Sequence, residues 1–249
     1  MTAAPPALEI IHLYKSFGGL AATHDVCLSI APGERRLLIG PNGAGKTTLF
    51  NQITGDLSPT SGKICLFGRD VSGLRPHQRA HLGMSRTYQI ITLFHKNTIE
   101  HNVCLGLLGL SSMRWNVLRP LSQATELHVQ ARAMLARMGL DHLAERRVSE
   151  LAYGEKRRVE IALALAQNPR LLLLDEPLAG LSGPERRTVK DLIAGVSRDT
   201  TIVMIEHDMD TALDLADNVT LLHYGRVIVD GTRDVVIADP RTREVYLGH

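Results

Sequence analysis

The sequence predicts an α/β fold with a mostly parallel β-sheet and an inserted helical segment. Short apolar runs alternate with segments of helical periodicity in the first and last thirds of the chain. This alternation is typical of parallel strands joined by crossover helices. The middle third, from about 97 to 168, has helix-period apolar residues and no convincing strand. A glycine-rich loop at 40–48 follows one apolar run and precedes a helix-like segment.

Each strand is predicted where a short apolar run is bounded by turn residues. Each helix is predicted where apolar residues recur at intervals of three and four, with Gly55 as a stop signal and Pro184 as a first-turn residue. The predicted strands are 8–13, 26–30, 35–39, 63–67, 84–88, 171–174, 201–205, 219–222 and 226–229. The predicted helices are 49–54, 101–110, 123–138, 155–167, 185–197 and 208–216.

The composition is that of an ordinary globular protein. Of the 249 residues, 44% are hydrophobic and 22% are charged, and the formal net charge of +2 is too small to indicate a nucleic-acid partner. The three cysteines are far apart and form no CxxC pair, which predicts reduced thiols. We expect no secretory signal, and the sequence has no apolar run of 18 residues, so we expect any action at a membrane to require a partner protein.

The loop from Gly40 to Thr47 matches the phosphate-binding pattern GxxxxGK[ST]. Glycines let the backbone wrap so that its N–H groups face phosphate oxygens, and the following helix presents its positive end. Lys46 is predicted to reach the β- and γ-phosphates, and the Thr47 hydroxyl to coordinate Mg²⁺. A glycine-rich turn without a ligand is the alternative. The predicted ATP-binding residues here are Gly40, Pro41, Asn42, Gly43, Ala44, Gly45, Lys46, Thr47 and Thr48.

Two acidic residues, Asp175 and Glu176, end the apolar strand 171–174. A buried strand that delivers a carboxylate to its carboxyl end suits a Mg²⁺ ligand, and Asp175 is assigned that role. Glu176 is then placed to orient or deprotonate the attacking water. The alternative is a strand end with solvated acids, which the nearby phosphate-binding loop disfavours.

Two further polar residues, Gln89 and His207, follow predicted strands. The Gln89 amide is predicted to bridge Mg²⁺ and the attacking water. His207 is predicted to donate a hydrogen bond to the transferring phosphate. On its own, a loop glutamine is more often solvated and a lone histidine more often structural.

The order of these motifs resembles the ATP-binding-cassette (ABC) ATPases over nearly the whole chain, from Leu8 to the C-terminus. The most specific element is residues 151–158, LAYGEKRR, which is similar to the family signature LSGGQ followed by basic residues. The resemblance implies a P-loop NTPase cassette in which 1–249 form a single ATPase domain. It also implies an antiparallel β-lobe and a helical subdomain at 90–160.

The resemblance further implies a head-to-tail dimer that sandwiches two ATP molecules with Mg²⁺. In the family, the signature of one protomer closes over the ATP held by the other. The residues that would do so here are Ala152, Tyr153, Gly154 and Glu155. An aromatic platform for adenine is also expected, with Phe17 as the best match and Tyr14 second. Phe17 packed within the β-lobe is the alternative.

The chain departs from the family pattern at two positions. Ala152 replaces a serine whose hydroxyl touches the γ-phosphate, and Ser182 replaces an aspartate found in many members. The first change removes one hydrogen bond, typically about 1 kcal/mol. The segments 86–89, 205–209 and 244–248 resemble ATPases of branched-chain (hydrophobic) amino-acid importers, and cassettes for urea or lipopolysaccharide transport are similar.

The resemblance implies specific partners and a location. The partners would be a second ABC ATPase subunit, identical or related, transmembrane permease subunits and, indirectly, a substrate-binding protein, without nucleic acid. The location would be the cytoplasmic face of the cell membrane, and the irregular segment 111–120 is either a docking surface or a plain exposed loop. The alternatives are a soluble cassette ATPase of iron–sulfur assembly, translation or DNA repair, and a regulatory module that holds ATP without turnover.

Overall fold

A computed structural model describes residues 4–89, 92–115, 120–207 and 212–247. Its strands and helices form two sheets with helices between the strands in sequence, which confirms the predicted α/β class. Within the described residues, no helix is both long enough and apolar enough to cross a bilayer.

The smaller sheet has four strands, in the order β2-β1-β4-β5, and its described pairings are antiparallel. Strands β1 and β2 are longer than predicted, because residues 14–17 and 20–25 on either side of the turn continue the ladder to Phe17↔Leu20. The strands are β1 (Leu8–Phe17), β2 (Leu20–Ile30), β4 (Ser61–Leu66) and β5 (Arg69–Asp70).

The larger sheet has six strands, in the order β10-β9-β3-β8-β7-β6. The central pairs β9/β3, β3/β8 and β8/β7 are parallel, and β10 joins antiparallel through the predicted hairpin. The three strands β3, β7 and β8 are buried along their whole length, as expected where both faces are covered. The strands are β3 (Arg35–Ile39), β6 (Met84–Arg86), β7 (Leu171–Asp175), β8 (Thr201–Ile205), β9 (Asn218–His223) and β10 (Arg226–Thr232).

Eight α-helices lie in the described part of the chain. Five of them coincide with predicted helices, with ends shifted by at most three residues. They are α1 (Lys46–Thr54), α2 (Pro76–His81), α3 (Ile99–Leu110), α4 (Thr125–Arg137), α5 (Tyr153–Ala166), α6 (Gly183–Ala194), α7 (Arg233–Ala238) and α8 (Pro240–Leu247).

The predicted helix at 208–216 is described only from residue 212 onward, and Ala212 is α-helical. Residues 208–211 lie outside the described residues, and Leu213–Leu215 form a short 3₁₀ turn. The sequence reading also missed α2, α7 and α8. Pro76 at the first turn of α2 is the signal that was available.

The chain divides into two compact units. The first comprises Met1–Met84, Arg170–Glu176 and Val196–His249, and the second comprises Ser85–Pro169 and Pro177–Gly195. Helices α3, α4, α5 and α6 belong to the second unit.

The core of the first unit supports the loop between β3 and α1. Leu49, Phe50 and Ile53 of α1 are fully buried in a cluster with apolar residues of both sheets. The Arg79 guanidinium, 1% exposed, donates to the carbonyls of Gln52 (2.7 Å) and Ile53 (2.6 Å) at the end of α1. These bonds satisfy carbonyls that a helix end leaves without partners, so α1 is fixed at the end opposite the glycine-rich loop.

Candidate functional site

The glycine-rich loop connects β3 to α1 in a conformation that requires glycine at two positions. Gly40 has φ +150° and Gly45 has φ +100°. A Cβ atom would lie 2.2 Å from the Leu222 carbonyl oxygen at the first, and 2.3 Å from that of Ala22 at the second. The loop is also tied to the β9–β10 turn, because the Gly225 N–H donates to the Ala44 carbonyl at 2.9 Å.

Helix α1 begins immediately after Gly45, and no side chain caps its first turn. The N–H groups at an uncapped helix start attract anions, and the helix dipole adds to the attraction. Thr47, in this first turn, is exposed. Residues 40–45 therefore form a continuous loop, and residues 46–48 form the start of α1.

The Lys46 side chain folds back over this loop. Its Nζ atom donates to the carbonyl oxygens of Gly40 at 2.6 Å and Pro41 at 3.0 Å. Lys46 is only 6% exposed, and burial lowers the pKa of its ammonium, while the carboxylates of Glu176 and Asp175 act to raise it. A cation thus lies inside the loop, within the electrostatic influence of both acids.

The positions of the two acids, Asp175 and Glu176, follow from the register of the parallel strands β7 and β8. Asp175 is the last residue of β7, pairs with Ile205 of β8 and is 2% exposed. Glu176 has a left-handed backbone, φ +48°, and its N–H donates to the Ile205 carbonyl at 3.0 Å. Left-handed conformations of non-glycine residues cluster at functional sites. This turn directs the Glu176 side chain away from the line of the strand.

His207 lies just beyond the carboxyl end of β8, next to the end of β7. Its Nε2 atom is 2.9 Å from the Oε1 atom of Glu176. The His207 side chain is 46% exposed and that of Glu176 is 15% exposed. The first unit therefore brings together Lys46, Asp175, Glu176 and His207, a set that the sequence analysis predicted in separate segments.

The two aromatic candidates near the N-terminus differ in their surroundings. Phe17 ends β1 and is 49% exposed, with the Lys15 ammonium 5.2 Å from its ring centroid. The Tyr14 ring lies 5.3 Å from that of His24, and its hydroxyl bonds to Asp25. Phe17 has accessible ring surface, whereas Tyr14 is engaged by two neighbours. The role of Phe17 as an adenine platform stays a prediction.

The signature-like segment lies in the second unit, at the start of α5. Ala152 is the residue before the helix, and its N–H donates to the Glu155 carboxylate at 2.8 Å. Tyr153 is 45% exposed, and Gly154 is buried in the first turn. A Cβ atom on Gly154 would lie 2.3 Å from Oε1 of Glu185.

The Glu185 carboxylate is a feature that sequence reasoning missed. It accepts bonds from the Ser182 hydroxyl (2.6 Å) and N–H (2.9 Å), which lower its pKa, and the Gly154 N–H adds a smaller lowering. The pattern Ser182-x-x-Glu185 is a capping box for α6, a sequence signal that could have been used. An anionic group therefore already touches the start of the signature helix.

Gln89 is also in the second unit, and its side chain is exposed. The residue before it is held at both backbone groups by α5. The Tyr88 N–H donates to Oε1 of Glu160 at 3.0 Å, and its carbonyl accepts from Arg157 at 3.1 Å. Arg157 and Glu160, paired at 2.7 Å, are almost fully buried. These two residues, which the sequence analysis assigned no role, connect the signature helix to the Gln89 segment.

Comparison with known proteins decides the family. A family model described as "ABC transporter" matches residues 23–179, which is more than half of the chain. The chain belongs to the ABC transporter family. As an ABC protein it binds nucleotide and hydrolyses ATP, so the predicted ATPase activity is confirmed.

The similarity to individual relatives covers nearly the whole length of this ABC protein. It is 38% identical over 257 residues to the high-affinity branched-chain amino acid transport ATP-binding protein LivG of Escherichia coli K12, covering 98% of each chain. It is 36% identical over 250 residues to BraF of Pseudomonas aeruginosa, named for the same transport, again with 98% of each covered. The structure of the ADP conformation of MJ1267, an ATP-binding cassette of an ABC transporter, matches with TM-score 0.87 and 29% identity, covering 98% of this chain and 99% of that one. The predicted cassette fold is confirmed.

Proposed function

We propose that this ABC ATPase is the motor subunit of an importer of branched-chain or other hydrophobic amino acids. The whole-length similarity to LivG and BraF supports this substrate class. The observation that carries the motor assignment is the meeting of Glu176 and His207, 2.9 Å apart, at the carboxyl ends of the strands that follow the phosphate-binding loop.

The loop residues would bind the ATP phosphates through their backbone N–H groups. Lys46 would exchange the carbonyls of Gly40 and Pro41 for oxygens of the β- and γ-phosphates. Because its ammonium is already desolvated, little further dehydration accompanies that exchange, and its attraction to phosphate is strengthened by the low local dielectric.

The donors near this loop suit Mg²⁺. The Thr47 hydroxyl and the buried Asp175 carboxylate are oxygen donors, which Mg²⁺ prefers over nitrogen or sulfur. Gln89, in the second unit, is proposed from the sequence as a further oxygen donor. When bound, Mg²⁺ neutralises charge on the β- and γ-phosphates and orients them for in-line attack.

Glu176 would act as the base that orients the attacking water and accepts its proton. His207 would share its Nε2 hydrogen between the Glu176 carboxylate and an oxygen of the γ-phosphate, since its side chain is half exposed at the open side of the pair. Hydrogen-bond donors aimed at developing negative charge are among the largest contributions to catalysis.

A second protomer would complete each site. The start of α5, with Ala152, Tyr153, Gly154 and Glu155, would close over the γ-phosphate held by the other protomer, and Phe17 would stack on adenine. ATP is then part of the interface, so binding favours the closed dimer and hydrolysis reopens it. The partner is a second ABC ATPase subunit, identical or related.

The helical subdomain at 90–160 would transmit this closure to permease subunits at the cytoplasmic face of the membrane. Trp115, 78% exposed and 5.5 Å from the Arg114 guanidinium, is the candidate anchor. Residues 116–119 of the proposed docking segment 111–120 lie outside the described residues. A substrate-binding protein would act indirectly, through the permease.

The test is uptake of radiolabelled leucine, isoleucine and valine in cells that lack this chain. We expect uptake to be lost, restored by the wild type and not restored by Glu176→Gln. Asp234→Asn is the matched control, since Asp234 is exposed and lies in α7, outside the helical subdomain, and the variant removes the same charge elsewhere. Normal amino-acid uptake in the deleted cells, with loss of urea uptake or of lipopolysaccharide transport, would contradict the proposed substrate class.

A further inference from the structure

Three side chains of different donor chemistry meet on the outer surface of the four-stranded sheet. Nδ1 of His12 lies 2.7 Å from Oδ1 of Asp25 and 3.6 Å from Sγ of Cys27. All three donor atoms lie within 4.8 Å of one another, and all three residues are exposed. The ATP machinery uses none of them. We propose that His12, Asp25 and Cys27 bind a divalent transition-metal ion of the Zn²⁺ type.

Two β-bulges build this cluster. In the β1–β2 ladder, Ile10 pairs with Leu28 and Leu13 with Val26, so Ile11 and His12 together face the single residue Cys27. The next pair is Lys15 with Thr23, so the extra residue is now on β2. Bulges re-aim side chains that regular alternation would place elsewhere.

The bulged residues adopt a backbone that non-glycine residues rarely occupy. His12 has φ +45° and Asp25 has φ +55°, one on each strand of the hairpin. Leu13 and Val26 between them are fully buried, so the surrounding core holds both bulges in place. The inward pair anchors the strands, and the outward residues converge on one point.

The donor set matches the proposed class of metal. Zn²⁺ binds imidazole nitrogen, thiolate sulfur and carboxylate oxygen at about 2.0–2.3 Å in tetrahedral geometry, which places ligand atoms about 3.3–3.8 Å apart. The His12–Cys27 separation already fits, and the exposed Asp25 side chain has room to open by the remaining distance. Mg²⁺ and Ca²⁺ prefer all-oxygen sites, which distinguishes this site from that of the nucleotide.

Outer contacts orient two of the three ligands. The Tyr14 hydroxyl bonds to the Asp25 carboxylate, and the His12 backbone N–H lies 3.3 Å from Cys27 Sγ. Such partners fix ligand orientation in metal sites. Three protein ligands leave one tetrahedral position open to solvent, since the His12 side chain is 70% exposed.

A cysteine–histidine–aspartate relay is a poorer interpretation of the same residues. In such a relay the acid and the nucleophile bond to different nitrogens of the imidazole ring. Here Asp25 and Cys27 both approach Nδ1. Because both groups approach the same nitrogen, a metal cation in place of the proton at Nδ1 would contact all three side chains.

The experiment is titration of the reduced, tag-free full chain with Co²⁺, followed by absorption spectroscopy. Thiolate ligation produces a sulfur-to-cobalt charge-transfer band in the near ultraviolet. We expect this band to saturate at one Co²⁺ per chain, to be displaced by Zn²⁺, and to survive an excess of Mg²⁺. Co²⁺ at the nucleotide site would give no such band, because the residues proposed there include no cysteine, so this test is independent of the ATPase assignment.

The variants assign the band to the cluster. Cys27→Ser should abolish it, and His12→Ala should weaken Co²⁺ binding by at least about tenfold, the lower range for outer-shell partners. Cys65→Ser, in β4 of the same sheet, is the matched control and should leave the band intact. A band that persists in Cys27→Ser, or no band in the folded wild type, would overturn the proposal.

A second measurement does not depend on the folding of any variant. The rate of iodoacetamide alkylation at Cys27 and Cys65 is compared in the wild type with and without Zn²⁺, by peptide mass spectrometry. Zn²⁺ should slow alkylation of Cys27 at least about tenfold and leave Cys65 unchanged. Equal effects on both cysteines would overturn the proposal.

Discussion

The Nε2 atom of His207 lies 2.9 Å from the Oε1 atom of Glu176, across the ends of two adjacent parallel strands. Their separation in sequence is 31 residues, and the register Asp175↔Ile205 brings them together. The proposed base and the proposed hydrogen-bond donor are thereby held next to each other. The Glu176 backbone, in the left-handed region, is part of what fixes this geometry.

Replacing His207 with alanine should lower the rate of ATP hydrolysis without preventing ATP binding. Loss of one donor to developing charge typically lowers kcat by about 10²–10³-fold, and Glu176 also loses its orienting partner. The measurement is steady-state hydrolysis together with nucleotide affinity. His77→Ala, an exposed histidine in α2, should be unchanged, and equal loss in both variants would contradict the role of His207.

Replacing Gly45 with alanine should destabilise the fold more than the same change at Gly43. Both have a left-handed backbone, but a Cβ at Gly45 would lie 2.3 Å from the Ala22 carbonyl, whereas nothing lies within 4 Å at Gly43. The conformation alone costs about 1–2 kcal/mol. We expect thermal denaturation to show that loss for Gly43→Ala and a larger one for Gly45→Ala, and equal losses would contradict the proposed crowding.

Breaking the Arg157–Glu160 pair should be strongly destabilising. Arg157→Met removes the cation that lies 2.7 Å from the buried Glu160 carboxylate, and breaking a buried ion pair costs roughly 3–5 kcal/mol. Arg158→Met, which loses one bond to the Met138 carbonyl, should cost about 1 kcal/mol. The double variant Arg157→Met with Glu160→Gln should recover part of the loss in a urea denaturation series, and no recovery would show that the charge is not the cause.

Removing the charge of Glu185 should favour ATP-driven dimerisation. The carboxylate accepts a bond from the Gly154 N–H, which in the proposed dimer would face the γ-phosphate of the partner. Glu185→Gln lessens the repulsion between the two anions, so half-maximal dimerisation should need less ATP. Light scattering against ATP concentration measures this, with Glu145→Gln as control, and a requirement for more ATP would contradict competition at this position.

Features that depend on neighbouring residues in the sequence were predicted, whereas features that depend on contacts between distant residues were not. The loop 40–48, Asp175 and Glu176 were predictable because local patterns specify them: strand, glycines, lysine and helix in one case, apolar strand and acids in the other. The contact between Glu176 and His207 was not predicted. It depends on strand order, which no local pattern contains.

Other features depend on long-range packing and were missed. The Arg157–Glu160 pair is buried although its residue types are usually exposed, so the charges resembled a solvated helix face. The cluster of His12, Asp25 and Cys27 requires two bulges whose positions follow from the ladder register. Helices α7 and α8 have only six and eight residues, which is too short for a clear helical period in the sequence.

The most direct test of the account is Mg²⁺-dependent ATP hydrolysis by the wild type and by Glu176→Gln, with the oligomeric state of each followed by light scattering with and without ATP. We expect hydrolysis by the wild type alone, and an ATP-stabilised dimer of the variant, because the proposed water-orienting carboxylate is lost while the proposed binding residues remain. Glu145→Gln should behave as the wild type. Undiminished hydrolysis by Glu176→Gln, or a variant that stays monomeric with ATP bound, would contradict the sandwich motor formed by this chain.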